Sequence, residues 1–360
     1  MSANANTKRR PRVLLTNDDG PPDTKESPYI FGLYKHLTER LGWDVKVVVP
    51  SSQKSWIGKA YQIKEITKGS YFYPTNPGLY LLIHIQPYVL TLNYNTDGEG
   101  EISPVSRPLQ ENEVAEWILL DATPATCANI GIHNIYPNEI DLVVSGPNLG
   151  RNSSSAFALS SGTVGAAMSS SLSKIRSIAI SYGTVTHPTP TTYFEPAHIL
   201  GANIIEHLWQ TWGSDEFGLK NNEVDLYNVN IPLIEPILSN EGLKIYWTTM
   251  WRTSYGRLFK PISGDPPQSS KVNPAGPDTS TSPVEQTQSS TPTETLVFKW
   301  SPAMEGLIRP DHSSLVVGSD GWALHHGAVS VTPLRASFAE PVEGIHQFAN
   351  TEDRIWKVRL

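Results

Sequence analysis

The sequence predicts an α/β protein built on a doubly wound, mostly parallel sheet. Three observations predict it. A strand–helix–strand unit occupies the first 50 residues, the same alternation returns through the middle of the chain, and polar residues gather where the apolar strands end.

Arg12–Thr16 (RVLLT) is a short apolar run bounded by polar residues, which reads as a buried strand. Ser27 can cap a helix and Pro28 suits its first turn. Ile30, Leu33, Tyr34, Leu37 and Leu41 then keep helical spacing until Gly42. Val45–Val49 is a second strand, completing a βαβ unit. Tyr61–Glu113 alternates apolar and turn residues and predicts strands or a hairpin outside the main repeat. Thr123-Pro124 opens a helix through His133, followed by a strand over Ile140–Val144 and a polar loop. Ser161–Leu172 is a small-residue helix, Ile175–Tyr182 a strand, and Thr191–Trp212 a helix. Val224–Val229, Leu243–Trp247 and Ala328–Pro333 read as further strands.

Pro, Ser and Thr make up 20 of the 35 residues of Pro261–Thr295, a composition too poor in apolar anchors to offset its ordering entropy. The expected organisation is therefore a flexible N-terminus over 1–11, an α/β domain over 12–260, a disordered insertion over 261–295, and the C-terminal part of the same domain over 296–360.

A net charge of −7 leaves no basic footprint for duplex nucleic acid or an anionic membrane, so an anionic substrate needs a local attractor. Cys127 is the only cysteine, which excludes an intrachain disulfide and a thiolate zinc cage. Met1–Arg12 has no apolar signal-peptide segment, and no run is long enough to cross a bilayer. The expectation is a reduced, cytoplasmic, soluble protein, in which the Asn152-Ser153-Ser154 sequon has no meaning.

In an open parallel sheet, ligands gather at the carboxyl ends of the strands. Here one strand ends on Asn17, Asp18 and Asp19, the second runs into Ser51-Ser52-Gln53-Lys54-Ser55, and Ile140–Val144 ends on Ser145-Gly146-Pro147-Asn148. Two carboxylates, a hydroxyl and a carboxamide are a hard-oxygen set suited to Mg²⁺ or Mn²⁺. A cation would also neutralise two adjacent carboxylates that otherwise repel. Asp18-Asp19 alone would read as a turn, Asn148 as another, and Ser55 as solvated loop. Convergence of three strand ends favours the metal. Ser160–Ala167 adds a polar, glycine-bearing helix start, a natural phosphate cradle.

Seven stretches carry a resemblance in order along nearly the whole chain: VLLTNDDG, VVVPSSQKS, DATPATC, DLVVSGPN, SSGTVGAA, NVNIP and AVSVTPL. Together they resemble the SurE (survival protein E) family of phosphatases and nucleotidases, and the form SGPNLGRN…ALSSGTVGAAM is most similar to its eukaryotic, fungal-like branch. The resemblance implies a Rossmann-like three-layer α/β/α fold with a C-terminal hairpin extension and a metal-dependent phosphomonoesterase. The implied metal ligands are Asp18, Asp19, Ser55 and Asn148, with Asp18 and Asp19 catalytic. Asn17, Asn148, Ser161, Gly162 and Thr163 are expected at the phosphate.

The loop after the second strand departs from the bacterial pattern, which ends in Ser-Gly where this chain has Ser55-Trp56; Ser51 and Ser52 stay open as alternative ligands. Lys59 and Arg151 lie in the variable loops, where each is a candidate phosphate contact or, as the slightly preferred reading, a solvated surface charge. The insertion interrupts the family's hairpin, which serves subunit exchange, so a homodimer or higher homo-oligomer is expected without a fixed number.

The expected chemistry is attack of water activated by the metal, with Asp18 or Asp19 taking the proton. A phosphoaspartate route needs Asp-x-Asp after the strand, and this chain offers Asn17-x-Asp19. The substrate is expected to be a small phosphorylated molecule, a nucleoside monophosphate first. The alternatives are other phosphoesters or short polyphosphate, or a nucleotide-binding scaffold without turnover. His325-His326 lacks further spaced ligands, and Trp247, Trp251, Trp300 and Trp322 read as core or interface rather than base-stacking residues.

Overall fold

A computed structural model of the chain describes residues 9–76, 99–184, 188–254, 256–261, 296–303, 305–308 and 310–339. Five strands, each buried over most or all of its length, form the centre of one sheet: β1 (Arg12–Thr16), β2 (Asp44–Pro50), β6 (Leu142–Leu149), β7 (Arg176–Thr184) and β8 (Leu226–Leu233). They lie parallel in the order β2-β1-β6-β7-β8, and β5 (Trp117–Leu120) joins β2 in parallel. The chain thus builds outward from β1 on one side and restarts at β6 on the other, which makes the β1/β6 seam the topological switch point.

Helices cover both faces, as the near-continuous apolar strands require. α1 (Ile30–Lys35) and α5 (Phe194–Gln210) pack on the face carrying Val13, Leu15, Val47 and Val49. On the other face, α2 (Pro124–Ile130) packs with Leu14, Val48 and Val143, and Cys127 lies in that core. α4 (Gly162–Leu172) follows α3 (Ser154–Ser160) and buries Val164 and Ala167 against β7 and β8. Small residues let α4 approach its neighbours: a Cβ on Gly165 would collide with the Gly58 carbonyl, and Ser169 Oγ donates to Ala125 O of α2 at 3.2 Å.

Several expectations need correcting. Strands in Tyr61–Glu113 belong to the main sheet: β3 (Gly69–Pro74) pairs antiparallel with β5, and β4 (Gly100–Ser103) pairs antiparallel with β3. β5 and α3 had no counterpart in the sequence reading. β5 is four residues long and too short to show a period, and α3 hides in a Ser/Asn-rich stretch. Ser27 does not cap α1, whose N-cap is Tyr29. Its hydroxyl instead donates to Gly20 O at 2.9 Å. The strand expected to end at Val144 runs to Leu149 as β6, with a bulge between Ser145 and Asn148. The expected disordered insertion lies outside the described residues apart from Pro261, and so do residues 1–8 of the expected flexible N-terminus.

At the far edge β12 (Val329–Leu334) runs antiparallel to β8, and β9 (Ile245–Trp247) parallel to β12. A separate antiparallel pair, β10 (Phe259–Pro261) with β11 (Phe298–Trp300), stands beside the sheet. α6 (Glu305–Ile308) and α7 (Asp320–His325) follow. Asp320 is fully buried, and its carboxylate accepts from Ser154 N at 2.8 Å, Trp251 N at 2.9 Å and Gly321 N at 2.7 Å. It ties α7 and the Trp251 segment to the start of α3. Asp320→Ala orphans three backbone donors, two of them buried, and is expected to cost about 3 kcal/mol or more, read as a fall in the urea midpoint; Asp320→Asn, which keeps an acceptor, costs less.

Candidate active site

Three loops meet at the carboxyl end of the switch point. Leaving β1, Asn17 locks a tight turn: its Oδ1 accepts from Gly20 N at 3.0 Å, and its Nδ2 donates to Gly20 O at 2.8 Å and Ser27 Oγ at 3.2 Å. The carboxamide is thus used inside the loop. Gly20 has φ of 92°, which a side chain adopts only with strain. Backbone hydrogen bonds then gather the other loops. Lys54 N, after β2, donates to Asp18 O at 2.7 Å. Leu149 N, at the end of β6, donates to Asp19 Oδ2 at 2.8 Å.

Both carboxylates are buried, each 3% exposed. Thr163 Oγ1 donates to Asp18 Oδ1, so the start of α4 is aimed at Asp18. Gly162 is required there because a Cβ would lie 2.8 Å from Asp18 Cβ. Ser161 caps α4 by accepting from Val164 N at 3.1 Å. Gln53 Nε2 reaches Asp19 Oδ1 at 3.4 Å, a long contact. No Lys or Arg is ion-paired with either aspartate among the described residues.

Asp18, Ser55, Asn148 and Ser161 line one cleft together with Asn152, Ser160, Trp56 and Phe157. The structure therefore brings together residues from all four expected segments. Ser55 lines this cleft, whereas Ser51 and Ser52 are exposed and do not. Asn148 Nδ2 donates to Gly150 O at 2.7 Å, leaving Oδ1 as the carboxamide's acceptor at the cleft. Lys59 sits over the Tyr61 ring at 4.7 Å and Arg151 Nη2 donates to Ile308 O at 3.0 Å, and neither lines the cleft. His326 is exposed, with Nδ1 2.8 Å from Trp322 O. Of the tryptophans read as core or interface, Trp251 is buried and Trp247 exposed. Sequence reasoning missed three lining residues: Asn152, Trp56 and Phe157. Asn152 had been read only as part of a sequon.

The donor set fits a hard divalent cation. Two carboxylates share a buried site with no ion-paired Lys or Arg among the described residues, and a neutral carboxamide oxygen and a hydroxyl stand beside them. No group of three His, Cys, Asp or Glu suited to a metal occurs among the described residues, so the neutral oxygens would have to complete the shell.

Burial pushes the Asp18 carboxyl up to about 6, against the Thr163 hydroxyl and the N–H groups of Asp18, Thr163 and Gly162. Burial, and then the charge of Asp18, push Asp19 well above the usual range, against Leu149 N–H and Gln53. An acid whose folded pKa is raised keeps its proton longer when folded. Its contribution to stability is full below the unfolded value of about 4 and is lost as pH rises through the folded value. Metal-free protein is therefore expected to lose stability between about pH 4 and pH 6 and above. Manganese should raise the melting temperature more at about pH 7.5 than at about pH 5, because it binds the deprotonated pair. Differential scanning fluorimetry reads both slopes; a manganese effect equal at the two pH values contradicts the assignment.

The sequence matches the family described as Survival protein SurE over residues 13–257. A 5′-nucleotidase SurE from Campylobacter concisus is 30% identical over 222 residues, covering 61% of this chain and 66% of that protein. Another, from Geobacter sulfurreducens, is 26% identical over 329 residues, covering 89% of this chain and 87% of that protein. A Saccharomyces cerevisiae protein named probable tubulin–tyrosine ligase PBY1 is 31% identical over 344 residues, or 91% of this chain, yet this chain spans 41% of its length. Among solved structures, the SurE protein from Aquifex aeolicus superposes with a TM-score of 0.53 at 22% identity, covering 91% of this chain and 94% of that one, which supports the α/β fold. No helix among the described residues is long and apolar enough to cross a membrane.

Proposed function

The chain belongs to the SurE family, and on that premise we propose that it hydrolyses phosphate monoesters, nucleoside monophosphates first among them, with Mg²⁺ or Mn²⁺ bound. The observation that carries this reading is the buried Asp18–Asp19 pair, which meets Asn148, Ser55 and the start of α4 at the switch point with no ion-paired Lys or Arg among the described residues. The naming of two relatives as 5′-nucleotidases supports it.

Asp18, Asp19, Ser55 and Asn148 would hold the ion. When bound, it supplies the positive charge that offsets both carboxylates and the phosphate oxygens and lowers the pKa of water. The chain's own groups do the rest. Asp18, at the cleft, takes the proton of the attacking water. Leu149 N–H fixes Asp19, so the pair is set before substrate arrives. Ser161 presents the partial positive end of α4 to the phosphoryl group, the N–H groups of Gly162 and Thr163 hold the Asp18 carboxylate, and Asn148 steadies the phosphoryl oxygens. Asn17 acts by holding the turn.

The ligase activity in the yeast protein's name is not carried over, because more than half of that protein has no counterpart here. Assembly into a homodimer or larger homo-oligomer fits the exposure of Phe259 (53%) and Phe298 (57%) on the β10–β11 pair. The test is phosphate release from 5′- and 3′-nucleotides, p-nitrophenyl phosphate and short polyphosphate, with magnesium, manganese or chelator. Release that needs the metal supports the hydrolase, and none from any substrate leaves a nucleotide-binding scaffold. Efficient release from non-nucleotide esters alone moves the substrate class.

A further inference from the structure

The lining of the cleft is part polar and part aromatic. Trp56 and Phe157 line it with Asp18, Ser55, Asn148 and Ser161. Trp56 lies edge-on to Phe157 at 6.0 Å and edge-on to Trp300 of β11 at 5.0 Å, and Trp300 lies edge-on to Phe259 at 5.3 Å. The indole is thus backed from the core and from the β10–β11 pair.

The backbone holds it there at a cost. Trp56 has φ of 61°, a left-handed conformation that bulky side chains rarely adopt. Hydrogen bonds on both flanks enforce it: Lys54 N to Asp18 O at 2.7 Å and Gly58 N to Ser160 O at 2.8 Å. A strained residue fixed at a cleft points to use rather than packing alone.

Resting on the hydrolase reading above, we propose that Trp56, backed by Phe157 and Trp300, is the wall against which the leaving group lies. The cleft then selects phosphate monoesters that carry a flat aromatic ring, that is, a nucleobase, over sugar phosphates that lack one. With the phosphate at Asp18, Asn148 and Ser161, the part of the substrate beyond the ester oxygen would meet the rings that line the same cleft. Stacking against a π-face is tolerant of base identity, so this wall separates nucleotides from other esters rather than one base from another.

The test compares AMP with ribose 5-phosphate in wild type, Trp56→Leu and Trp56→Phe, with binding of adenosine followed by equilibrium dialysis. Trp56→Leu is expected to lower kcat/KM for AMP about tenfold or more, mainly through KM. Ribose 5-phosphate should change less than about twofold, and Trp56→Phe should restore most of the AMP rate. Adenosine binding should weaken in parallel. An equal loss on both substrates assigns Trp56 to packing and overturns the proposal, as does no loss on either. Trp56-dependent adenosine binding without any phosphate release keeps the wall and overturns the hydrolase reading instead. Release that does not distinguish AMP from ribose 5-phosphate in wild type does the reverse.

Discussion

Asp19→Asn is expected to lower metal-dependent phosphate release by about a thousandfold or more while making the metal-free protein more stable at neutral pH. The two effects share one cause. Asp18 and Asp19 are each 3% exposed, and the charge of Asp18 is among the forces that hold the Asp19 proton on. Removing one charge at constant shape relieves that repulsion and spares desolvation, and an amide oxygen can still accept from Leu149 N, now 2.8 Å from Asp19 Oδ2. The same change removes half the negative charge that would hold a cation. Activity and stability therefore move in opposite directions, as expected where a site is kept strained for function. Initial rates with saturating manganese and urea denaturation in chelator read the two halves. A variant that is both inactive and less stable would show Asp19 to be a structural residue.

Gly146→Ala is expected to be the most damaging single methyl group in the sheet. Gly146 has φ of 122°, and a Cβ there would fall on the Ile180 carbonyl of the neighbouring strand, where backbone cannot yield. Strain and collision together should cost about 4 kcal/mol or more, enough to leave most marginal domains unfolded at 37 °C. Gly183→Ala on β7 is the matched control. Its added Cβ would meet Arg151 Cβ at 3.4 Å, an ordinary contact, and no left-handed backbone is involved. It should shift the urea midpoint little. Comparable losses in the two variants would contradict the assignment of the cost to the bulge. The bulge also sets where Asn148 stands, so any Gly146→Ala protein that does fold should release phosphate poorly.

Much of the fold was legible because buried parallel strands write themselves as short continuous apolar runs. Val13-Leu14-Leu15 and Val47-Val48-Val49 needed no period to be recognised, and all six side chains prove buried. The Asp18-Asp19 pair alone reads as a turn, and it becomes a candidate site only because the ends of two further strands also carry oxygen ligands. What escaped the reading depends on contacts distant in sequence. Gly146-Pro147 looked like the end of a strand because both residues usually break one, yet β6 carries on through a bulge that only the pairing with β7 sustains. Trp56 stands in the sequence only as a departure from the Ser-Gly pattern, and its place at the cleft depends on the docking of Gly58 onto Ser160. The motif favours Ser55 but leaves Ser51 and Ser52 open, because the path of the loop after β2 is set by its bond to the Asp18 carbonyl.

The proposed hydrolase requires one divalent ion held jointly by the loops after β1, β2 and β6. Calorimetric titration of manganese into chelator-treated protein tests this most directly, with Asp19→Asn and Asn148→Ala beside wild type. One ion per chain is expected, bound far more weakly in Asp19→Asn and measurably more weakly in Asn148→Ala. Equal manganese affinity in all three proteins, or full phosphate release in excess chelator, would contradict it.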